Sequence, residues 1–208
     1  MTQYGFYFNA KRCTGCKACA LACKDYRNLP EAYALRNVLE YAGGSWTQDA
    51  SGAWTTDAYT YYISTACNHC DTPACAAACP QGAYVKDEKT GIVKQADPEK
   101  CIACGTCVSA CPYGAPIVDQ AKMRAIKCDM CFDRVSEGKA PVCVEACPMR
   151  AIEFGDIEEL RAKYGEVAAI APLPDPSLTG PNFVMSEPQG AQPVGGGTGE
   201  LRNTREIA

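Results

Sequence analysis

Cysteine is both abundant and regularly spaced in this chain, and its thiolate is a soft ligand suited to iron, zinc and copper. Sixteen cysteines in 208 residues fall into four groups of four with none left over. They are Cys13, Cys16, Cys19 and Cys23; Cys67, Cys70, Cys75 and Cys79; Cys101, Cys104, Cys107 and Cys111; and Cys128, Cys131, Cys143 and Cys147. The first and third groups read C-x2-C-x2-C-x3-C, the second C-x2-C-x4-C-x3-C and the fourth C-x2-C-x11-C-x3-C, all variants of one run. A disulfide framework also uses an even number of cysteines. Such frameworks belong to short secreted chains, and "MTQYGFYFNAKRC" has neither a basic n-region nor an apolar h-region. Inert buried thiols would not repeat at fixed offsets.

Spacing separates the metals. Three close cysteines, then a fourth followed by proline, form the run that holds 4Fe-4S clusters in bacterial ferredoxins, the fourth thiolate reaching to the neighbouring cluster. Zinc takes two C-x2-C knuckles on separate loops and has no use for a third thiolate two residues further on. A non-redox zinc-binding scaffold is therefore the alternative from a different class, and four quartets point instead to four 4Fe-4S clusters. The residues between the ligands fit this chemistry. A cube with four thiolates carries a charge of about −2 and needs backbone N–H donors in a closely fitted, dry shell. Glycine and alanine in "TGCKAC", "IACGTC" and "CAAAC" let the backbone approach. Pro80, Pro112 and Pro148 follow Cys79, Cys111 and Cys147 and should stop the short helical turn that carries each fourth cysteine. Lys24 replaces that proline in the first group, so "ACALACKDYRNL" is expected to continue as a longer helix; a solvated surface charge at Lys24 is compatible with this.

The elements that must position these groups are legible more coarsely. "YGFYFNAKRC" alternates like a strand feeding the first cysteine loop, and "WTQDASGAWTTDAYTYYIS" reads as a β-hairpin turning around Asp49 to Gly52. That hairpin is rich in aromatics (Trp46, Trp54, Tyr59, Tyr61, Tyr62), as either a partner-facing element or a cover for a core. "GAYVKDEKTGIVKQADPEKC" is a second hairpin turning near Thr90 and Gly91. Residues 156–169 are expected to form a helix, with Asp156 and Glu159 at capping-box spacing. The connectors on either side of the third cysteine group allow groups two and three, or three and four, to share a two-cluster module, and length does not choose. From Pro172 onward the sequence is rich in proline and glycine without a helical or strand period. Such a tail is expected to be disordered or laid along another subunit, with Phe183, Val184 and Met185 as its anchors. Truncation before Pro172 should then leave cluster content unchanged.

Several functions are excluded. The formal charge of −4, before any cluster is added, argues against nucleic acid, and no lysine-arginine run suggests lipid binding. No segment approaches the roughly 18 consecutive apolar residues of a membrane span. The single histidine, His69, lies between two cysteines in "CNHCD" and is surplus as a ligand; a loop imidazole hydrogen-bonded near the cluster is favoured over a proton site. No Gly-rich nucleotide loop or nucleophile–base pair stands out, so the chain is not an enzyme on its own.

The motifs "RCTGCKACALACKDY", "LEYAGGSW", "ACNHCDTPAC", "CPYGAP", "KCDMCFDRVSEGKAPVCVEACP" and "LRAKYGEVAAIAPLP" are similar to those of four-cluster iron-sulfur electron-transfer subunits of molybdopterin oxidoreductases. Within that family they most resemble the B subunits of membrane-bound dimethyl sulfoxide reductases, over nearly the whole length. The resemblance implies an α+β fold of two bacterial-ferredoxin-like two-cluster modules, one inserted in the other. Module one takes residues 1–40 and 115–170, module two 64–114, with the β-hairpin insertion at 41–63 and an extended tail at 171–208. It also implies the ligand sets Cys13, Cys16, Cys19 with Cys147; Cys128, Cys131, Cys143 with Cys23; Cys67, Cys70, Cys75 with Cys111; and Cys101, Cys104, Cys107 with Cys79. Some relatives have tryptophan at the third cysteine of group three and hold a 3Fe-4S cluster, whereas Cys107 here implies a complete cube. The implied partners are a molybdopterin-containing catalytic subunit and an integral membrane anchor that oxidises quinol, with electrons running to an S- or N-oxide. Formate dehydrogenases, polysulfide reductases and aldehyde oxidoreductases use the same kind of relay. The implied location is peripheral on the cytoplasmic membrane, at its outer face by export with the catalytic subunit, with the cytoplasmic face or the cytosol as the alternative.

Overall fold

The helices are short because glycine, proline and the cysteine loops keep interrupting them. The computed structural model describes residues 2–207. Its helices are α1 (Ala18–Tyr26), α2 (Ala74–Ala77), α3 (Thr106–Ala110), α4 (Phe132–Ser136), α5 (Val142–Glu145) and α6 (Ile157–Tyr164). Its strands are β1 (Tyr4–Asn9), β2 (Arg36–Gly43), β3 (Trp46–Gln48), β4 (Trp54–Thr56), β5 (Tyr59–Ala66), β6 (Tyr84–Lys86), β7 (Val93–Gln95), β8 (Ile117–Asp119), β9 (Arg124–Ile126), β10 (Ile152–Asp156), β11 (Phe183–Ser186) and β12 (Glu200–Leu201). Helix α2 begins after Pro73 and α5 after Pro141, positions where a missing N–H costs nothing.

The first sheet has the order β10-β1-β11, with β1 antiparallel to β10 and parallel to β11. As the central strand, β1 is buried on both faces, so the expected alternation of exposed and buried residues is absent even though the strand is there. Phe6 and Phe8 enter the main core with Val38, Ile63, Ile152 and Met185. Tyr7 faces α6, packs with Ile157, Leu160 and Val184, and stacks on Tyr164 at 3.6 Å between ring centroids. A side chain at Gly5 would meet Ile157 Cδ1 at 2.5 Å and the Asn182 carbonyl at 2.7 Å. Only glycine lets α6 and the C-terminal segment close over this strand.

The C-terminal segment departs most from expectation. It is neither free nor reserved for a partner: β11 is the edge of the first sheet, with Phe6 opposite Phe183 and Phe8 opposite Met185. Phe183, Val184 and Met185 are all buried in the protein's own core. A segment too poor in apolar residues to build a core can still complete one by occupying a vacant sheet edge. Further on, β12 pairs with β2, and buried Asn203 donates from Nδ2 to the Val38 carbonyl at 2.8 Å while its Oδ1 accepts from the Glu40 N–H at 2.9 Å.

The second sheet is β12-β2-β5. β2 and β5 pair antiparallel from Arg36 opposite Ala66 to Gly43 opposite Tyr59, so the hairpin arm is longer than residues 41–63. At its tip β3 and β4 pair around a turn in which Asp49 accepts from the N–H groups of Ser51 and Ala53. The aromatics divide by position: Tyr61 is buried in the core, whereas Trp46 and Trp54 are 63 % and 59 % exposed. The β6–β7 hairpin turns at Thr90 and Gly91 as expected, with Asp87 collecting the Lys89 and Thr90 N–H groups. α6 ends at Tyr164, not at residue 169, because Gly165 takes a left-handed φ of 89°. Its N-terminus is capped by Asp156 as predicted. Among the described residues no helix is long and apolar enough to cross a membrane.

Candidate metal centres

Each cysteine loop uses the same backbone device. The second residue after the first cysteine of every group is left-handed: Gly15 (φ 70°), His69 (46°), Ala103 (54°) and Met130 (57°). A peptide turned this way aims successive N–H groups into the loop's concave side, as an anionic occupant requires. A second repeat follows the cysteines that precede proline. Gly82, Gly114 and Arg150, three residues after Cys79, Cys111 and Cys147, are all left-handed, and each returns its N–H to the cysteine carbonyl at 3.2 Å. The next residue, Ala83 or Ala151, then donates its N–H to the cysteine sulfur at 3.3 or 3.2 Å; Ala115 does the same for Cys111. Without a proline, α1 runs on through Cys23 to Tyr26. Lys24 caps the loop that follows by donating to the carbonyls of Glu31 and Tyr33, so it is more than a solvated charge.

These loops bring cysteines together from distant segments. One cavity is lined by Cys13, Cys16, Cys19 and Cys147, a second by Cys67, Cys70, Cys75 and Cys111, and a third by Cys101, Cys104, Cys107 and Cys79. The three are alike in size and in their lining of four cysteines, which suits one repeated occupant. The other four, Cys23, Cys128, Cys131 and Cys143, lie close enough to influence one another's ionisation. Burial, reinforced by negative charge at Cys143 and Cys131, pushes Cys23 up to about 12; burial with Cys23, Cys67 and Cys143 raises Cys128 well above the ordinary thiol value, Arg36 opposing. The Cys13 and Cys23 quartets share α1 and α5, which pack on each other, and the Cys67 and Cys101 quartets share α2 and α3, which pack in the same way.

The donor set fits an iron-sulfur cube better than a single ion. Among the described residues no three His, Cys, Asp or Glu side chains converge tightly enough to hold one metal ion, whereas quartets facing across a cavity match a polynuclear centre. Hydroxyls approach the sulfurs as well: Ser64 lies 3.3 Å from Cys19, Thr179 donates to Cys70 at 3.1 Å, and Thr106 lies 3.2 Å from Cys104. At the Cys23 quartet this place is taken by Arg27, which hydrogen-bonds Cys131. N–H and O–H donors to ligand sulfur stabilise thiolate charge and tune a cluster's potential.

His69 is fully buried. Its Nδ1 accepts from the Val93 N–H at 2.9 Å, so the ring is neutral with its proton on Nε2. Burial, with Lys127 and Lys86 nearby, holds its pKa well below the ordinary value. The residues that the sequence did not disclose are Ser64, Thr179, Arg36, Lys127 and Tyr84. Of these Thr179 was the hardest to foresee, since it arrives from the C-terminal segment: Asn182 donates to the His69 carbonyl at 2.8 Å, the Asp71 N–H to the Gly180 carbonyl at 2.8 Å, and the Thr72 N–H to the Thr179 carbonyl at 3.1 Å.

Comparison with known proteins agrees with this donor chemistry. The family model for the 4Fe-4S dicluster domain matches residues 58–157, and that for a 4Fe-4S binding domain matches residues 10–27. The protein is 50 % identical over 206 residues to the B subunit of the anaerobic dimethyl sulfoxide reductase of Escherichia coli K12, covering 99 % of both. It is 48 % identical over 207 residues to the corresponding B subunit of Haemophilus influenzae, covering 100 % of both. It is 37 % identical over 162 residues to the thiosulfate reductase electron transfer subunit of Salmonella typhi, covering 76 % of this chain and 78 % of that one. With ferredoxin-like 4Fe-4S domains in a mixed helix and strand fold, this protein belongs to the family of dimethyl sulfoxide reductase B subunits, the non-catalytic iron-sulfur electron-transfer subunits of molybdopterin oxidoreductases.

Proposed function

We propose that the protein holds four 4Fe-4S clusters in the ligand sets Cys13/16/19/147, Cys23/128/131/143, Cys67/70/75/111 and Cys79/101/104/107, and that they form one line in that order. When bound, the clusters supply one-electron transfer between neighbouring centres. The observation that carries the reading is the convergence of cysteines from two separate segments on each of three similar cavities. The order is supported by α1 and α5, which serve the first two quartets, by the influence of Cys67 on Cys128 between the middle two, and by α2 and α3, which serve the last two. On this reading residues 1–40 and 115–170 form one ferredoxin-like module and 64–114 the second, inserted in it.

The protein's own part is to hold and tune. Backbone N–H groups and hydroxyls donate to ligand sulfurs. Each end is open. Cys16 and Cys104 are the exposed cysteines, with exposed Met149 lining the first cavity and Ile102 the third. Two exposed ends suit two partners: a molybdopterin catalytic subunit at one and a quinol-oxidising membrane anchor at the other, with this subunit peripheral to the membrane. Full-length identity to dimethyl sulfoxide reductase B subunits, against partial coverage by the thiosulfate reductase subunit, favours an S- or N-oxide as terminal acceptor. The test is made on the anaerobically purified complex. A menaquinol analogue should bleach the iron-sulfur absorbance, and dimethyl sulfoxide should restore it. Reduction by quinol with no reoxidation by any S- or N-oxide would assign the relay to another catalytic subunit, and zinc in place of iron would end the reading.

A further inference from the structure

Two cations are buried in this protein without a carboxylate partner. Arg36, the first residue of β2, is 2 % exposed, and Lys127, next to Cys128, is 7 % exposed. Neither forms an ion pair with an acidic side chain among the described residues. Arg27, also beside the Cys23 quartet, differs in being neutralised by Asp129 and Asp133 at 2.6 and 3.1 Å.

The surroundings of the two unpaired cations are specific. The Arg36 guanidinium lies 4.8 Å from the Phe6 ring centroid and donates from Nη1 to Ser64 Oγ at 3.1 Å. This leaves the Ser64 proton free to point at Cys19 Sγ, 3.3 Å away. Its Nη2 is buried with no partner. Lys127 Nζ donates to the carbonyls of Val93 and Cys128; Val93 lines the Cys67 cavity, and Cys128 belongs to the Cys23 quartet. Lys127 also stands 5.5 Å from the centroid of Tyr84, whose buried hydroxyl has no partner. An unpaired buried charge is strongly disfavoured, so both cations call for negative charge close by. Lys127, on the wall of a cleft it shares with Arg27 and Tyr84, is near enough to Cys75 and Cys111 of the Cys67 quartet to favour their thiolates. Burial alone would depress the Arg36 pKa, yet negative charge at Cys143, Cys19, Cys128 and Cys23 reverses this and raises it. Those four cysteines belong to two different quartets.

We propose that Arg36 and Lys127 are fixed positive charges at two junctions of the relay, Arg36 between the Cys13 and Cys23 quartets and Lys127 between the Cys23 and Cys67 quartets, each raising the reduction potential of the clusters on both its sides. The inference rests on the four-cluster reading. Reduction adds one negative charge to a cluster, and a cation held in a low-dielectric interior stabilises that charge. The same cation offsets repulsion between two reduced neighbours, so it positions the levels of the relay without touching an external substrate.

The experiment is a redox titration of the anaerobically purified complex, followed by electron paramagnetic resonance, for wild type, Arg36→Gln, Arg36→Lys, Lys127→Gln and Arg27→Gln. Iron and sulfide are measured on each sample, and signals are assigned by ligand substitution. Arg36→Gln is expected to lower the potentials of the Cys13 and Cys23 clusters, and Lys127→Gln those of the Cys23 and Cys67 clusters. The Cys23 cluster therefore responds to both variants and the Cys101 cluster to neither. Arg36→Lys retains the charge and should stay close to wild type, whereas a purely structural role would make it behave like the glutamine variant. Arg27→Gln should shift the Cys23 cluster less than Arg36→Gln does. Unchanged potentials with full iron content, or an equal shift of all four clusters, would overturn the inference. Wild-type iron short of four clusters would overturn the four-cluster reading itself, and this inference with it. Should Arg36→Gln lose its clusters, the Arg36→Lys and Lys127→Gln titrations decide the matter.

Discussion

The Cys101 quartet and the Cys23 quartet are built from variants of the same loop, yet Cys104 of the first and Cys128 of the second sit in opposite surroundings. At the Cys101 end, Cys104 is exposed, and the Thr106 hydroxyl, with backbone N–H groups, holds its thiol below the ordinary value. In the middle, Cys128 is pushed well above that value by burial and by neighbouring cysteines. The Cys104 sulfur is stabilised by water and a local hydroxyl, whereas Cys19 and the sulfurs of the Cys23 and Cys67 quartets depend on what the fold brings to them: Ser64, Arg36, Arg27, Lys127 and Thr179. The difference teaches that the cysteine run alone specifies the loop, while the surroundings of its sulfurs are specified by distant residues.

The largest expected effect comes from truncation before Pro172. It removes β11 from beside β1 and Thr179 from beside Cys70, so the inner Cys67 quartet and the main core fail together. Loss of soluble, cluster-loaded protein is expected, and a point variant reads the core contribution separately. Phe183→Ala should cost about 3–5 kcal/mol in denaturant unfolding. A truncated protein with full iron content would show the segment to be dispensable and restore the view of it as a free tail.

Next in size is Cys147→Ser. Cys147 is in the same sequence group as Cys128, Cys131 and Cys143 but lines the outer Cys13 cavity. The substitution should perturb the cluster of Cys13, Cys16 and Cys19 and leave the inner resonance in place. If the inner cluster changes instead, the division into outer and inner ligand sets is wrong.

A smaller effect separates the two environments directly. Thr106→Ala and Thr179→Ala each delete one hydroxyl near sulfur, at 3.2 Å from Cys104 and 3.1 Å from Cys70. Water can replace the first. It cannot reach the second as readily, because Thr179 is buried. A hydrogen bond is worth about 0.5–1.5 kcal/mol, and the potential of the Cys67 cluster should fall by more than that of the Cys101 cluster. Equal shifts would show that exposure is not what distinguishes the two.

How much of this was legible in the sequence follows the same division. The loops were readable because each ligand and its shell lie within a few residues: Gly15, Ala103 and the Cys-Pro turns act locally. The Asp156 cap and the turn at Gly91 were readable for the same reason. β1 was recognised as a strand, but its two-sided burial was not, because that depends on β11 arriving from the far end of the sequence. Phe183, Val184 and Met185 stood out as apolar, and nothing local said that the vacant edge was in the same molecule. Arg36 and Lys127 resemble ordinary surface cations in sequence, and only the fold reveals that they have no acid beside them. The hairpin tip marks the opposite limit. Trp46 and Trp54 lie outside the core, so Trp46→Ala and Trp54→Ala should change stability by no more than about 0.5 kcal/mol and leave cluster content intact, as thermal unfolding and iron analysis would check.

The central claim is that every one of the sixteen cysteines is a ligand to a complete cube, outer and inner alike. Iron and acid-labile sulfide analysis of anaerobically purified protein tests it most directly. Four cubes predict about sixteen irons and sixteen sulfides per protein molecule, with no 3Fe-4S resonance on oxidation. Iron well below that level, a 3Fe-4S signal from the Cys101 quartet, or zinc in place of iron would contradict it.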